Sequence, residues 1–269
     1  MIRIISLVPS VTELIVALGL APWLVGRTGF CIHPEQALSA IPKIGGTKDI
    51  NLPKLKRLLP THVVVNVDEN RLETVEALRE FVANVVVTHP CGPLDNFALL
   101  DQLTAVFADE VSTQQPSVDA RARANDLAAA LTAELAACEG QVWPARRALY
   151  LIWRDPWMTV ARDTYIARML AQVGWSTWPP QDGGHAGAAR YPVVTGAEPW
   201  LAEIDDVLLS SEPYRFGPEH VAQAQALCPN ARVSLVDGEL ISWYGPRAAR
   251  GLAYLRGLRE PDVPASPPR

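Results

Sequence analysis

The sequence predicts an α/β protein: two Rossmann-like α/β lobes joined by one long backbone helix. Three observations predict it. Short β-branched runs alternate with helical stretches through residues 3–107, and the alternation resumes after residue 147. The runs are near-continuously apolar, as expected of parallel strands covered on both faces. Between the two stretches, residues 117–138 hold no Gly or Pro and are rich in Ala. With 269 residues and 49% hydrophobic content, two cores are affordable.

The elements follow in order. Arg3–Leu7 reads as a strand, Thr12–Leu18 as a helix and Trp23–Gly26 as a short strand. Leu52–Leu59 is a helix, His62–Asn66 a β-branched strand and Arg71–Phe81 a helix with Asn70 as its N-cap. Asn84–Val87 is a strand and Asn96–Phe107 a helix. Pro116-Ser117 and Gly140 bracket the alanine-rich rod, which at 1.5 Å per residue spans about 32 Å. The second half has strand Ala148–Ile152, helix Thr164–Val173 and a Gly/Pro/Trp-rich stretch, Trp175–Pro199, read as irregular. Strand Asp206–Leu209, helix Pro218–Leu227, strand Arg232–Leu235 and helix Arg247–Leu258 complete it. The expected organisation is 1–115 for the first lobe, 116–139 for the connecting helix, 140–259 for the second lobe and 260–269 for a proline-rich disordered tail.

Composition removes several functions. The net charge of −5, from 24 Lys+Arg against 29 Asp+Glu, argues against a nucleic-acid binder. No apolar run reaches the ~20 residues of a membrane span. Cys31, Cys91, Cys138 and Cys228 are far apart and form no C-x-x-C pair, so a structural zinc site has little support. Gly45-Gly46-Thr47-Lys48 lacks the spacing of a phosphate-binding P-loop. Arg3–Leu7 is needed as a strand, so the opening reads as structure rather than a secretory leader. The expectation is a cytoplasmic protein, with a periplasmic location as the alternative.

Ligands of open parallel sheets bind beyond the carboxyl ends of the strands, so the segments that follow strands hold the candidates. In the first half these are Phe30, Cys31 and His33. Cys31 and His33, two apart in an extended segment, would point the same way and could ligate a metal. They could equally be a nucleophile–base pair, or a buried thiol beside a turn-capping imidazole. In the second half the candidates are Trp153, Arg154, Trp157, Glu212, Tyr214, Trp243, Tyr244 and Arg247. Aromatic faces with arginines suit a broad, partly apolar ligand with polar edges; the plain alternative is loop filling. His62 and His220 read as structural or solvent-facing, and His185 as a loop residue.

Several segments carry a resemblance. They are Arg3–Leu18, Gly45-Gly46, Asn51-Leu52-Pro53-Lys54-Leu55, Leu59–Val65 and Ser242-Trp243-Tyr244-Gly245-Pro246-Arg247. In this order they resemble the metal-chelate substrate-binding proteins of ABC importers, whose ligands are cobalamin, haem and ferric siderophores. The likeness covers roughly residues 2–258 and is similar to a signal-less branch with a helical backbone. It implies two α/β lobes bridged by one helix, with ligand held in the cleft between them, and no catalysis. It implies a corrinoid first, then haem or a ferric siderophore, as ligand rather than resident cofactor. It also implies one acidic residue per lobe for docking on an ABC permease: Glu69 or Glu73, and Glu212 or Glu219. The competing expectation is a chelatase-like enzyme or metallochaperone acting on a tetrapyrrole or metal ion.

Overall fold

The structure is a computed structural model that describes residues 2–259. The chain divides into two compact units. The first comprises the residues up to Ala130 together with Trp243–Arg247; the second comprises Leu131–Ser242 and the chain from Ala248 on.

The first unit is a four-stranded, all-parallel sheet. Its strands are β1 (Ile4–Ser6), β2 (Leu24–Arg27), β3 (His62–Asn66) and β4 (Asn84–Thr88), in the order β2-β1-β3-β4. Central β3 is buried along its whole length, which is why its apolar run is unbroken rather than alternating. Helices α1 (Pro9–Ala17), α2 (Glu35–Leu38), α3 (Leu52–Arg57), α4 (Leu72–Arg79) and α5 (Asp95–Gln114) connect the strands. One core packs Ile5, Leu7, Val63 and Val65 against Leu55, Val75 and Leu78.

The rod expected at Ser117–Cys138 is α6 (Ala120–Glu139). It starts three residues late because the Asp119 carboxylate accepts the Ala122 N–H at 2.9 Å, as an N-cap does. Ala120, Ala124, Leu131, Leu135 and Cys138 are its buried stripe. The division between the units falls inside this helix.

The second unit repeats the parallel plan with β5 (Arg146–Leu151), β7 (Trp175–Thr177), β9 (Asp206–Ser210) and β10 (Arg232–Val236), ordered β10-β9-β5-β7. A two-residue antiparallel pair, β6 (Trp157–Met158) with β8 (Val193–Val194), stands apart. Helices α7 (Tyr165–Ala171), α8 (Val221–Leu227), α9 (Gly238–Ser242) and α10 (Arg247–Arg259) complete the described residues. The stretch expected to be irregular thus contributes an edge strand. Trp175 and Thr177 are buried while Ser176 is exposed, a half-buried alternation too short to stand out among the surrounding Gly and Pro. The tail expected at 260–269 lies outside the described residues.

The amino-terminal edge of the second sheet is pinned by Asp206, fully buried. Its carboxylate accepts from Arg146 Nε (2.5 Å), Trp175 Nε1 (2.8 Å) and Arg232 Nε (3.0 Å). Burial would raise its pKa, but the bonds from Arg146 and Trp175 outweigh burial and hold it below the ordinary carboxylate value. The corresponding edge of the first sheet is held through neutral acceptors: Arg3 Nε donates to the Leu58 carbonyl at 3.0 Å. Thr61 Oγ1 accepts the Arg3 N–H at 2.9 Å and lies 2.9 Å from His62 Nδ1.

Candidate functional site

In the first unit the segment after β2 does not continue as extended chain. Residues 29 and 30 turn and residues 33 and 34 bend, and Cys31 is buried where His33 is half-buried. Cys31 is fully buried. Its thiol lies 3.1 Å from Thr28 Oγ1 and 3.9 Å from the Ser6 carbonyl, and burial raises its pKa. Buried Arg27 closes the turn from inside, donating to the Leu38 and Cys31 carbonyls at 3.1 and 2.8 Å. Cys31 is therefore a core anchor. Its neighbours face out: Phe30 is 63% exposed, and His33 is half-buried with its ring edge-on to Trp243 at 5.6 Å.

Trp243, Tyr244 and Arg247, late in the sequence, pack in the first unit. Trp243 and Tyr244 are both buried. The Tyr244 hydroxyl donates to Glu69 Oε1 at 3.0 Å. Burial first, then the Glu69 charge, push its pKa well above the ordinary value. Arg247 Nε donates to Glu13 Oε2 at 2.6 Å, and its guanidinium lies 4.5 Å over the Trp243 ring. Between them Gly245 has φ +77°, and a Cβ there would stand 3.1 Å from Leu14 Cβ. Its N–H donates to Asn96 Oδ1 at 2.6 Å. These contacts make the segment a clasp on α1 and the β3 loop.

That loop is built by two buried asparagines. Asn70 was expected to cap the following helix; instead Arg71 occupies the cap position without a side-chain bond. Asn70 Oδ1 accepts the Asn66 N–H at 2.8 Å, and its Nδ2 donates to the Thr47 carbonyl at 2.9 Å. Burial makes the difference: turned outward as a cap, this amide would leave those buried backbone groups unpaired. The bonds set Asp68 and Glu69 at the carboxyl end of β3. Of the two acids weighed for docking here, Glu69 is taken by Tyr244, while Glu73 is exposed. Glu73 lines an open depression of about 650 Å³ with Lys48, Asp49 and Arg71. Gly45, on the loop before it, has φ +119°, and a Cβ would stand 2.3 Å from the Asp49 carbonyl oxygen.

In the second unit the carboxyl strand ends carry an aromatic group. Trp153, 41% exposed, meets Tyr214 edge-on at 5.7 Å. Trp157 stacks on Phe216 at 5.9 Å and 9°. The Arg154 guanidinium lies 4.4 Å over Trp157, and its Nε donates to Gln223 at 3.0 Å. Tyr214 Oη lies 3.0 Å from His220 Nε2, while the Gly217 N–H donates to His220 Nδ1 at 2.9 Å. Trp153, Arg154, Trp157 and Tyr214 thus come together as one surface. Phe216 and His220 support it from beneath; their placement follows from the fold of 211–220, and no spacing in the sequence signals it. Glu212 accepts the Ser242 hydroxyl at 2.5 Å. Glu219 is exposed, 3.3 Å from His220.

His62 is buried against Phe107, as a structural histidine. His185 sits on an exposed loop whose Gly183 and Gly184 N–H groups donate to Asp163 at 2.9 and 2.8 Å. Among the described residues there is no group of three or more His, Cys, Asp or Glu that could hold a metal ion. Among them, too, no helix is long and apolar enough to cross a membrane.

No family model and no curated protein matches the sequence. Solved structures do match. The periplasmic vitamin B12-binding protein BtuF of Vibrio cholerae superposes with a TM-score of 0.74 at 19% identity, covering 96% of this chain and 98% of its own. The periplasmic haem-binding protein HutB of the same organism gives 0.74 at 19%, covering 97% and 99%. A periplasmic haem-binding protein from Pseudomonas aeruginosa gives 0.73 at 24%, covering 97% and 93%. Over nearly its whole length, the chain has the fold of these binding proteins.

Proposed function

We propose that this chain is a non-enzymatic binding protein for a metal chelate, a corrinoid before haem or a ferric siderophore, and a member of the metal-chelate substrate-binding proteins. The observation that carries the reading is the near-complete coverage of both partners in the likeness to B12- and haem-binding proteins. The surface formed by Trp153, Arg154, Trp157 and Tyr214 supports it. It offers aromatic area beside the Arg154–Asp155 ion pair at the carboxyl strand ends, where such sheets take ligands. The corrinoid is placed first because the resemblance of the sequence segments implies it first. Of the two residues weighed for reaching the metal, Cys31 is closed into the core and His33 is half-buried.

The neighbours are periplasmic proteins by name, which favours the periplasmic alternative over the cytoplasmic expectation. In that setting Glu73 and Glu219 are the exposed acids available for an ABC permease. Fractionation of the source cells separates the two locations.

The test of function is direct. Cobinamide, cobalamin and haem are titrated against the wild type and Trp153→Ala, following tryptophan quenching and the chelate absorption bands. We expect one chelate to bind, and Trp153→Ala to weaken it by about 2 kcal/mol with folding unchanged. Failure of all three to bind at tens of micromolar removes the tetrapyrrole ligand class.

A further inference from the structure

A second His/Cys pair stands at the carboxyl end of β4, in His89-Pro90-Cys91, and the proposed function does not use it. Of the four cysteines, Cys31, Cys138 and Cys228 are buried, and only Cys91 is partly open. Its Sγ lies 3.4 Å from His89 Nε2. The same nitrogen lies 3.6 Å from Asp68 Oδ2, and both of those side chains are about one-fifth exposed. The arrangement is held in place from both sides. The Cys91 N–H donates to Asp95 Oδ2 at 2.8 Å, in the first turn of 20-residue α5. Asp68 is fixed by its own N–H donating to Asn66 Oδ1 at 2.8 Å.

We propose that Cys91 is a reversible covalent-modification site for low-molecular-weight disulfides, with His89 as its base and Asp68 as the carboxylate beside the imidazolium that His89 becomes. His89 Nε2 takes the thiol proton, and the Cys91 sulfur attacks one sulfur of the small disulfide. The S–S bond breaks, and the departing thiolate leaves with the electron pair and recovers the proton from His89. The Cys91 sulfur is oxidised to a mixed disulfide and the second sulfur is reduced to a thiol, so no other reactant is needed. Asp68 stabilises the imidazolium that exists between the two proton transfers. The nearby end of α5 favours the negative sulfur. The charged groups facing the pair are Asp68, Asp95 and Lys48, whose Nζ donates to the Asp68 carbonyl at 3.3 Å. This inference is independent of the chelate-binding reading.

The experiment incubates the full chain with oxidised glutathione at pH 7 and follows intact mass, with peptide mapping of the adduct. The wild type should gain one glutathione, on Cys91, and lose it to dithiothreitol. His89→Gln should slow the reaction by tenfold or more, and Asp68→Asn by a few-fold. Above pH ~9.5, where a thiol ionises without help, the three proteins should react at similar rates; a merely structural effect would persist there. Cys91→Ser should abolish the adduct. Equal rates for wild type and His89→Gln at pH 7, or adducts on Cys138 or Cys228 instead, would overturn the proposal. So would no adduct at all on a folded wild type.

Discussion

At the carboxyl strand ends of the first unit, the late aromatic residues are buried and bonded; at those of the second, they are stacked and half open. Tyr244 is 6% exposed and donates to Glu69, whereas Trp153 is 41% exposed beside Tyr214. The two groups look alike in sequence: aromatic residues and an Arg within five positions, with a proline among them, just after a strand or short helix. The exposure of the carboxylate paired with the arginine separates them. Arg247 meets Glu13 at 2.6 Å, so its segment is drawn in and desolvated. Arg154 lies on the Trp157 face and pairs with Asp155, whose side chain is 82% exposed, so its surface stays in solvent. An aromatic–arginine cluster stays open when the carboxylate paired with its cation is itself in solvent, and closes when that carboxylate is drawn inside.

The opposite strand edges reverse the contrast, and the largest expected effect lies there. Asp206 is a buried carboxylate with two arginines and a tryptophan on it, while the first unit's edge uses Thr61 and His62. Asp206→Ala leaves the buried Trp175 N–H without its acceptor and removes the carboxylate from Arg146 and Arg232, both partly in solvent. It should cost on the order of 3 kcal/mol in urea unfolding. Thr61→Val, which removes the acceptor of the Arg3 N–H, should cost about 1 kcal/mol. Equal losses would show that the charged and neutral edges hold their sheets alike, and would end the comparison.

The next effect concerns the clasp. Arg247→Ala strands the half-buried Glu13 carboxylate and uncovers Trp243. The expected cost is about 2–3 kcal/mol. Arg154→Ala, on the open surface, should change stability by no more than about 0.5 kcal/mol. Unfolding of the two variants, each against the wild type, reads both. A large loss at Arg154 would mean that its surface is structural after all.

Most of the frame was legible because it rests on local pattern. The Val63-Val64-Val65 run announces a fully buried central strand, and the breaker-free stretch after Pro116 announces α6. What was not legible depends on contacts far apart in sequence. Tyr244 reaches Glu69, 175 positions away, and Arg247 reaches Glu13, 234 positions away. No local pattern records such a pairing, so both residues read as part of the second half. Cys31 left three readings open, and the structure shows the buried thiol among them, beside Thr28 in the core. His89 and Cys91 have the spacing of Cys31 and His33, with proline between them, and the fold brings their side chains together.

The smallest effect is a pH window that separates the two edges. Burial lowers the pKa of His62 below its ordinary 6.5, with the Glu110 charge opposing it. Below pH 6.5 the unfolded chain takes up a proton that the folded chain refuses. The stability tied to neutral His62 is therefore complete above that pH and declines as pH falls toward the folded value. Asp206 behaves in the same direction but lower. Its pKa is depressed below 3.8, so its contribution stays intact above that pH and is lost as pH falls through the folded value. His62→Gln should thus flatten the fall in stability between pH 7 and 5 while leaving the acid limb below pH 4 unchanged. Chemical unfolding at a series of pH values reads both limbs. If the variant keeps the wild-type fall between pH 7 and 5, His62 is already solvated, and the neutral edge of the first sheet is looser than its geometry indicates.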